Sequence, residues 1–162
     1  MDLTIDRMTE ADLEGAAAAI AEGPVFQWYG LDRAGARAML LAARGTIVVA
    51  RVDQTVAGVA IFWTDGTMPV PAYLQILAVA EGQRGRGVGQ ALLRHVEADA
   101  YRRGPNLFLC CVSTNVDARR FYDREGYVEV GPMPNFVAEG LTEVLYRKTL
   151  GPIRGYSAES RG

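Results

Sequence analysis

The chain has 162 residues, 49% hydrophobic and 22% charged, which excludes a disordered or collagen-like polymer and predicts one domain with an adequate core. Seventeen Lys and Arg against nineteen Asp and Glu leave a net charge of −2, which argues against nonspecific nucleic-acid binding. Two adjacent cysteines cannot staple distant segments, no spacing suggests a metal site, no 18-residue apolar run predicts a membrane span, and the acidic N-terminus is unlike a signal peptide, so a reducing cytoplasm is expected. The elements then read in order. Leu3–Met8 predicts a strand, and Thr9 offers a helix N-cap followed by Leu13, Ala16, Ala17 and Ile20 at helical spacing. Gly23-Pro24 stops that helix, and an aromatic segment Val25–Gly30 leads to a second helix over about Asp32–Ala43.

Thr46–Arg51 and Val56–Trp63 predict a hairpin around Asp53-Gln54, and a loop with Gly66, Pro69 and Pro71 leads to a strand at Tyr73–Val79. A glycine-rich loop then opens a helix with Val88, Leu92, Val96 and Ala100 on its inner stripe. Leu107–Val112 is a continuous apolar run, the pattern of a strand buried on both faces. Asn115–Arg124 predicts a short helix, Tyr127–Val130 a strand, a loop with Pro132 and Pro134 follows, and the last strand lies near Thr142–Lys148. The expected organisation is one α/β (α+β) domain over residues 1–150 and a flexible tail over 151–162.

Charge is unevenly spread. Residues 1–32 hold seven acids against the single Arg7, and residues 84–103 hold Arg84, Arg86, Arg94, Arg102 and Arg103 against Glu97 and Asp99. The most informative stretch is Arg84-Gly85-Arg86-Gly87-Val88-Gly89-Gln90, set between a strand and a helix. Glycines let several backbone N–H groups converge, the helix N-terminus adds partial positive charge, and two arginines add full charge. The combination suits a phosphate or pyrophosphate. A P-loop is excluded because no Lys-Ser or Lys-Thr follows, and a dinucleotide fingerprint because Leu92 stands where its third glycine belongs.

This loop, with Leu77-Ala78-Val79 upstream, Asn115 and Ala118 after the next strand, and Phe121-Tyr122-Asp123-Arg124-Glu125-Gly126-Tyr127, resembles the signature segments of the GNAT superfamily of N-acyltransferases. The likeness is close over residues 74–130, and the element order extends it to nearly the whole chain. It implies a mixed, mostly antiparallel sheet with one parallel pair splayed around the acyl-CoA site and about four flanking helices. It implies acetyl-CoA as co-substrate and no metal. The pyrophosphate is expected on the N–H groups of Arg84, Gly85, Arg86, Gly87, Val88 and Gly89, with Gln90 close by. Leu77 and Val79 are expected to hold the pantetheine arm through the backbone, as an added strand would. Asn115 is expected to contact the arm or to cap the next helix, and both can hold.

The reaction implied is direct attack of a primary amine on the thioester. It needs a neutral amine, a donor for the oxyanion and a proton for the leaving thiolate. The resemblance gives the oxyanion to the Val79 N–H and the proton to Tyr122; periodicity alone reads Tyr122 as a core ring beside Phe121. Many relatives carry a Glu where this chain has Gln75, so the proton's route is open: through water to Glu22, Asp32, Glu139 or a backbone carbonyl, or none at all where the amine binds already neutral. His95 reads as a surface or structural histidine, and a Cys acyl-enzyme at Cys110 or Cys111 is disfavoured. Trp28, Tyr29 and Phe136, with Phe26, Gln27, Met133, Pro134 and Asn135 beside them, border the expected acceptor cleft or belong to the core. Aromatics beside an acidic region suit a cationic amine on a small molecule or peptide. No nucleic acid or membrane partner is expected, and a monomer or homodimer is. The alternative function is a CoA-binding sensor with little catalysis.

Overall fold

The computed structural model describes residues 2–23, 26, 28–65 and 72–158. Pro24 of the helix stop, Gln27 of the expected acceptor cleft, and Val25, Gly66, Pro69, Pro71, Ser160 and Gly162 lie outside the described residues. The elements are β1 (Leu3–Arg7), α1 (Leu13–Ala21), α2 (Arg33–Ala42), β2 (Thr46–Val52), β3 (Thr55–Trp63), β4 (Tyr73–Val79), α3 (Val88–Tyr101), β5 (Asn106–Val112), α4 (Val116–Arg124), β6 (Val128–Pro134) and β7 (Thr142–Thr149). The strands are hydrogen-bonded in the order β1-β2-β3-β4-β5-β7-β6. β4 and β5 are the parallel pair, while β1–β2, β2–β3, β5–β7 and β6–β7 are antiparallel. The expected mixed α/β sheet is therefore present, with the four helices just given among the described residues.

The chain divides into two compact units, Met1–Phe62 with Ile76–Val96 and Trp63–Gln75 with Glu97–Gly162. In the first, the apolar positions read from helical spacing do what they predict. Leu13, Ala16, Ala17 and Ile20 on α1 and Ala36 and Leu40 on α2 are buried against Val49, Val59 and Ile61. Small alanines let α1 and its neighbours approach closely, and Met8, Phe26, Met39 and Ala43 cover the margins. α1 is preceded by a 3₁₀ turn at Glu10–Asp12, so the α-helix starts later than the Thr9 cap suggested. The turn is fixed by Asp12, whose Oδ2 accepts from the Thr9 N–H at 2.8 Å and hydroxyl at 2.7 Å. The same carboxylate accepts from Arg51 Nε and Nη2 at 2.9 and 2.6 Å, tying α1 to β2. Asp53 and Gln54 both adopt positive φ (48° and 67°), the geometry that matches a two-residue turn to strand twist.

Gly58 on β3 is required by contact. A Cβ there would stand 2.8 Å from the Ala78 carbonyl oxygen and 2.9 Å from Leu92. This glycine lets the first turns of α3 lie directly on β3 and β4.

In the second unit, β5 pairs along its whole length with β7, from Asn106↔Thr149 to Val112↔Glu143. Leu107, Leu109, Cys111, Val144 and Tyr146 are buried. Glu97, at the C-terminal part of α3, accepts from the Tyr127 hydroxyl at 3.0 Å and from Lys148 Nζ at 2.9 Å. The Tyr156 hydroxyl donates to the Tyr101 carbonyl at 2.7 Å, a tie from the segment after β7. Pro132 and Pro134, read from the sequence as loop, lie in β6 instead. β6 ends the strand order and, among the described residues, pairs with β7 alone, so a missing N–H on its outer side breaks no ladder.

Candidate active site

The glycine-rich turn lies in the first unit. Arg84 to Gly87 are exposed, and Gly85 and Gly87 have φ of 72° and 83°, which side chains with a Cβ rarely adopt. A Cβ on either would meet nothing within 4 Å. These two glycines therefore do not serve helix packing, in contrast to Gly58. They serve the turn and keep its outer side clear. Val88 is buried, α3 runs from it, and the N–H groups of its first turn point out of the helix end. The Ala91 N–H already bonds the Gly87 carbonyl at 2.9 Å.

Arg84 braces this turn through two backbone carbonyls. Its Nη2 donates to the Glu22 carbonyl at 2.8 Å and its Nε to the Val79 carbonyl at 3.2 Å, joining the end of α1 to the end of β4. Arg86 Nη1 donates to Gln83 Oε1 at 3.1 Å. Leu77 and Val79 are half-buried on β4, Gly89 and Gln90 are half-buried in the first turn of α3, and His95 is exposed further along it. Trp28 is 44% exposed, so it is not a core ring, and Tyr29 is half-buried.

The acidic N-terminal region is already committed to structure. Asp6 and Asp12 hold Arg51, Glu14 holds Arg37 at 3.0 Å, Glu22 Oε2 accepts from the Glu81 N–H, and Asp32 caps α2 at the Gly35 N–H. Glu22 and Asp32, two of the base candidates, thus have structural positions in their own unit.

In the second unit, the β4–β5 ladder covers Tyr73↔Phe108 and Leu74↔Leu109 and ends there, while both strands continue. Asn115 caps α4, its Oδ1 accepting from the Ala118 N–H at 3.2 Å. Arg119 of α4 donates to the Tyr146 hydroxyl at 3.0 Å and to Glu129 at 2.8 Å, fixing the helix over β7 and β6. Tyr122 is buried, with ring centroids of Phe121, Tyr127 and Tyr146 at 5.3, 5.7 and 6.1 Å. Burial pushes its phenol above the ordinary value, with a smaller push from Cys111, so it holds its proton at neutral pH.

Cys110 and Cys111 are half-buried and buried, and burial pushes their thiols up to about 11 and about 12. The nucleophilic form is the thiolate, so neither is poised as an acyl acceptor. The Tyr73 hydroxyl hydrogen-bonds the Cys110 sulfur, and its ring stacks on Trp63 at 6.2 Å. Phe136 is 58% exposed in a loop closed by Asn135, whose Oδ1 accepts from the Gly140 N–H at 2.8 Å. Glu139 is exposed and Gln75 is exposed.

One residue the sequence reading passed over stands out. Among the described residues only two carboxylates are buried, Asp12 and Glu143, the latter 2% exposed near the start of β7. Its sole sequence signal is an acid followed directly by Val144-Leu145 in a strand. No group of three or more His, Cys, Asp or Glu among the described residues could hold a metal ion, and none of their helices is long and apolar enough to cross a membrane.

Residues 8–127 match the family model described as the acetyltransferase (GNAT) family. A curated relative, the acetyltransferase Atu2258 of Agrobacterium fabrum, is 35% identical over 66 residues, 38% of this chain and 44% of that protein. The match thus spans less than half of that relative's length. Among solved structures, Ard1 of Thermoplasma volcanium superposes with a TM-score of 0.75 at 21% identity, covering 93% of this chain and 99% of the other. The ribosomal-protein-S18-alanine N-acetyltransferase of Escherichia coli gives 0.73 at 20% identity over 96% and 99%.

Proposed function

Because the chain belongs to the GNAT acetyltransferase family, whose members draw acetyl groups from acetyl-CoA, we propose that it is an N-acetyltransferase acting on a primary amine by direct attack on the thioester. The observation that carries the donor half is the open glycine turn at the start of α3. Gly85 and Gly87 at positive φ with nothing beside them suit a pyrophosphate on the N–H groups of residues 84–89, with Gln90 close by. Arg84, held to two carbonyls, keeps that turn in shape, and Arg86 supplies charge at its exposed rim.

The pantetheine arm is assigned to the backbone of Leu77 and Val79 as an added strand, and the Val79 N–H to the oxyanion. Asn115 retains its capping bond in this reading and offers its amide N–H₂ to the arm. Tyr122 donates the proton that the departing thiolate takes. Its buried phenol is neutral at neutral pH, and a proton donor must begin protonated. Trp28, Tyr29 and Phe136 are assigned to the acceptor, and the exposure of Trp28 and Phe136 favours this over a core role. The pairing of the N-terminal acids with arginines and caps removes most of the charge argument for a cationic acceptor, so the aromatic surface is the better guide to its body. The protein is assigned to the cytoplasm, as a monomer or homodimer. A sensor that binds CoA without turnover is disfavoured by the family membership.

Thiol release from acetyl-CoA against an amine library tests the enzyme assignment directly. CoA release above background with at least one amine is the expected result, and silence across the library in a protein that binds CoA would make it a sensor. The phosphate loop has its own test. Gly87→Glu puts a β-carbon at an unfavourable φ and a negative charge at the pyrophosphate position, with no internal clash. Calorimetric titration with CoA should show affinity weakened by about tenfold or more, roughly 1.4 kcal/mol, in a variant that still folds. Unchanged affinity would remove the loop from the site.

A further inference from the structure

With Gln75 unable to take a proton, the reaction proposed above needs another base, and the second unit supplies one. Register places Glu143 opposite Val112 of β5 and opposite Met133 of β6. Strand alternation puts Val112, Cys110 and Phe108 on one face of β5, and Phe108 is the partner of Tyr73 across the parallel pair. Tyr73, Cys110 and Glu143 therefore share one sheet face, at the point where the β4–β5 ladder stops. Their closeness is also electrostatic, since the charge of Glu143 is felt by Tyr73 and Cys110.

We propose that Glu143 is the general base, accepting a proton from the acceptor's ammonium group before its nitrogen attacks the thioester. Of the protonable groups on this face, Tyr73 and Cys110 already hold their protons. Burial pushes the phenol up, and it pushes the thiol up to about 11. A thiol and a phenol in that state cannot accept, and of these three side chains Glu143 is the one whose chemistry suits a proton acceptor. Among the described residues, Tyr73 from β4 and Cys110 and Cys111 from β5 feel its charge, and its β6 neighbour Met133 does not titrate.

The protons balance. One leaves the ammonium for Glu143 and then solvent. The freed lone pair forms the C–N bond, and the C–S bond breaks as Tyr122 protonates the thiolate. The tetrahedral nitrogen loses a second proton, which restores the Tyr122 phenol through solvent. The third stays on the amide.

This inference rests on the N-acetyltransferase reading, and the experiment separates the two. Wild-type protein is first assayed with acetyl-CoA and two kinds of acceptor, alkylamines that are ammonium ions at neutral pH and weakly basic hydrazides that are already neutral. No turnover with either overturns the reading of function and leaves CoA binding to be explained alone. Where turnover is found, Glu143→Gln should lower kcat/KM for the alkylamine by about 10²–10⁴ at pH 7. CoA affinity measured by calorimetry should be unchanged. The loss should shrink to within about tenfold for the hydrazide, and for the alkylamine activity should return as pH rises toward the amine's own pKa. A structural role would lower both acceptors alike at every pH, and that result, or alkylamine activity within about threefold of wild type, overturns the proposal. If the Gln variant does not fold, Glu143→Asp replaces it. That variant sets the carboxylate one methylene back and should lose alkylamine activity far more than hydrazide activity. Equal losses overturn the proposal.

Discussion

Tyr122→Phe should lower kcat by about 10²–10⁴, the usual worth of a positioned proton donor, while the protein folds normally and binds acetyl-CoA nearly as before. The substitution removes one oxygen and keeps the ring among Phe121, Tyr127 and Tyr146, so the edge contacts at 5.3 and 5.7 Å persist. A thiolate is a far better leaving group than an alkoxide, a free cysteine thiol having a pKa of about 8.5, which places the expected loss toward the lower end for good acceptors. Steady-state kinetics combined with single-turnover measurements decide the matter. A kcat within about threefold of wild type, with chemistry limiting, would return Tyr122 to a packing role. A raised KM for acetyl-CoA at unchanged kcat would make it a binding residue.

The second large effect concerns stability. Asp12→Ala should destabilise the fold by about 3–5 kcal/mol, because it strands the Arg51 guanidinium with only Asp6, at 2.9 Å, for company. It also removes the acceptor of two Thr9 bonds at the start of α1. The same site gives an acid dependence. The Arg51 hydrogen bonds hold the Asp12 carboxyl down at about 2, against 3.8 when unperturbed. A depressed folded value means that the contribution is fully present above about 3.8 and is lost as pH falls through 2. It amounts to about 2 kcal/mol. Urea unfolding at pH 7 and pH 2 should show that loss in wild type, and Asp12→Asn should flatten it. An equal pH slope in both proteins would refute the assignment.

Much of the fold is legible along the chain where the signal is local. The stripe Val88, Leu92, Val96, Ala100 predicts the buried side of α3, the run Leu107–Val112 a central strand, and Asn115 a cap, and each is found so. What the sequence could not give depends on which segments become neighbours. Pro132 and Pro134 look like strand breakers until the strand order makes β6 an edge. The Asp12–Arg51 pair joins residues 39 apart, and no periodicity announces it. Arg84 reads as a free cation in a loop, yet its geometry is set by the carbonyls of Glu22 and Val79. Glu143 is hidden for the same reason. A single acid in a short strand looks solvent-facing until β5 and β6 close on either side of it.

β6 has a consequence for the behaviour of the protein at high concentration. Val128 and Val130 are 68% and 56% exposed on an outermost strand, the combination that invites another chain to dock edge-on and start a growing stack. A continuous row of outward N–H donors is what such a stack needs. Here Pro132 and Pro134 delete two donors, and the register shift at Glu129/Gly131, where φ reaches 159°, bends the strand out of line. The imino acids thus act as a chain terminator for self-association, and replacing them would turn a solubility safeguard into a nucleus for aggregation.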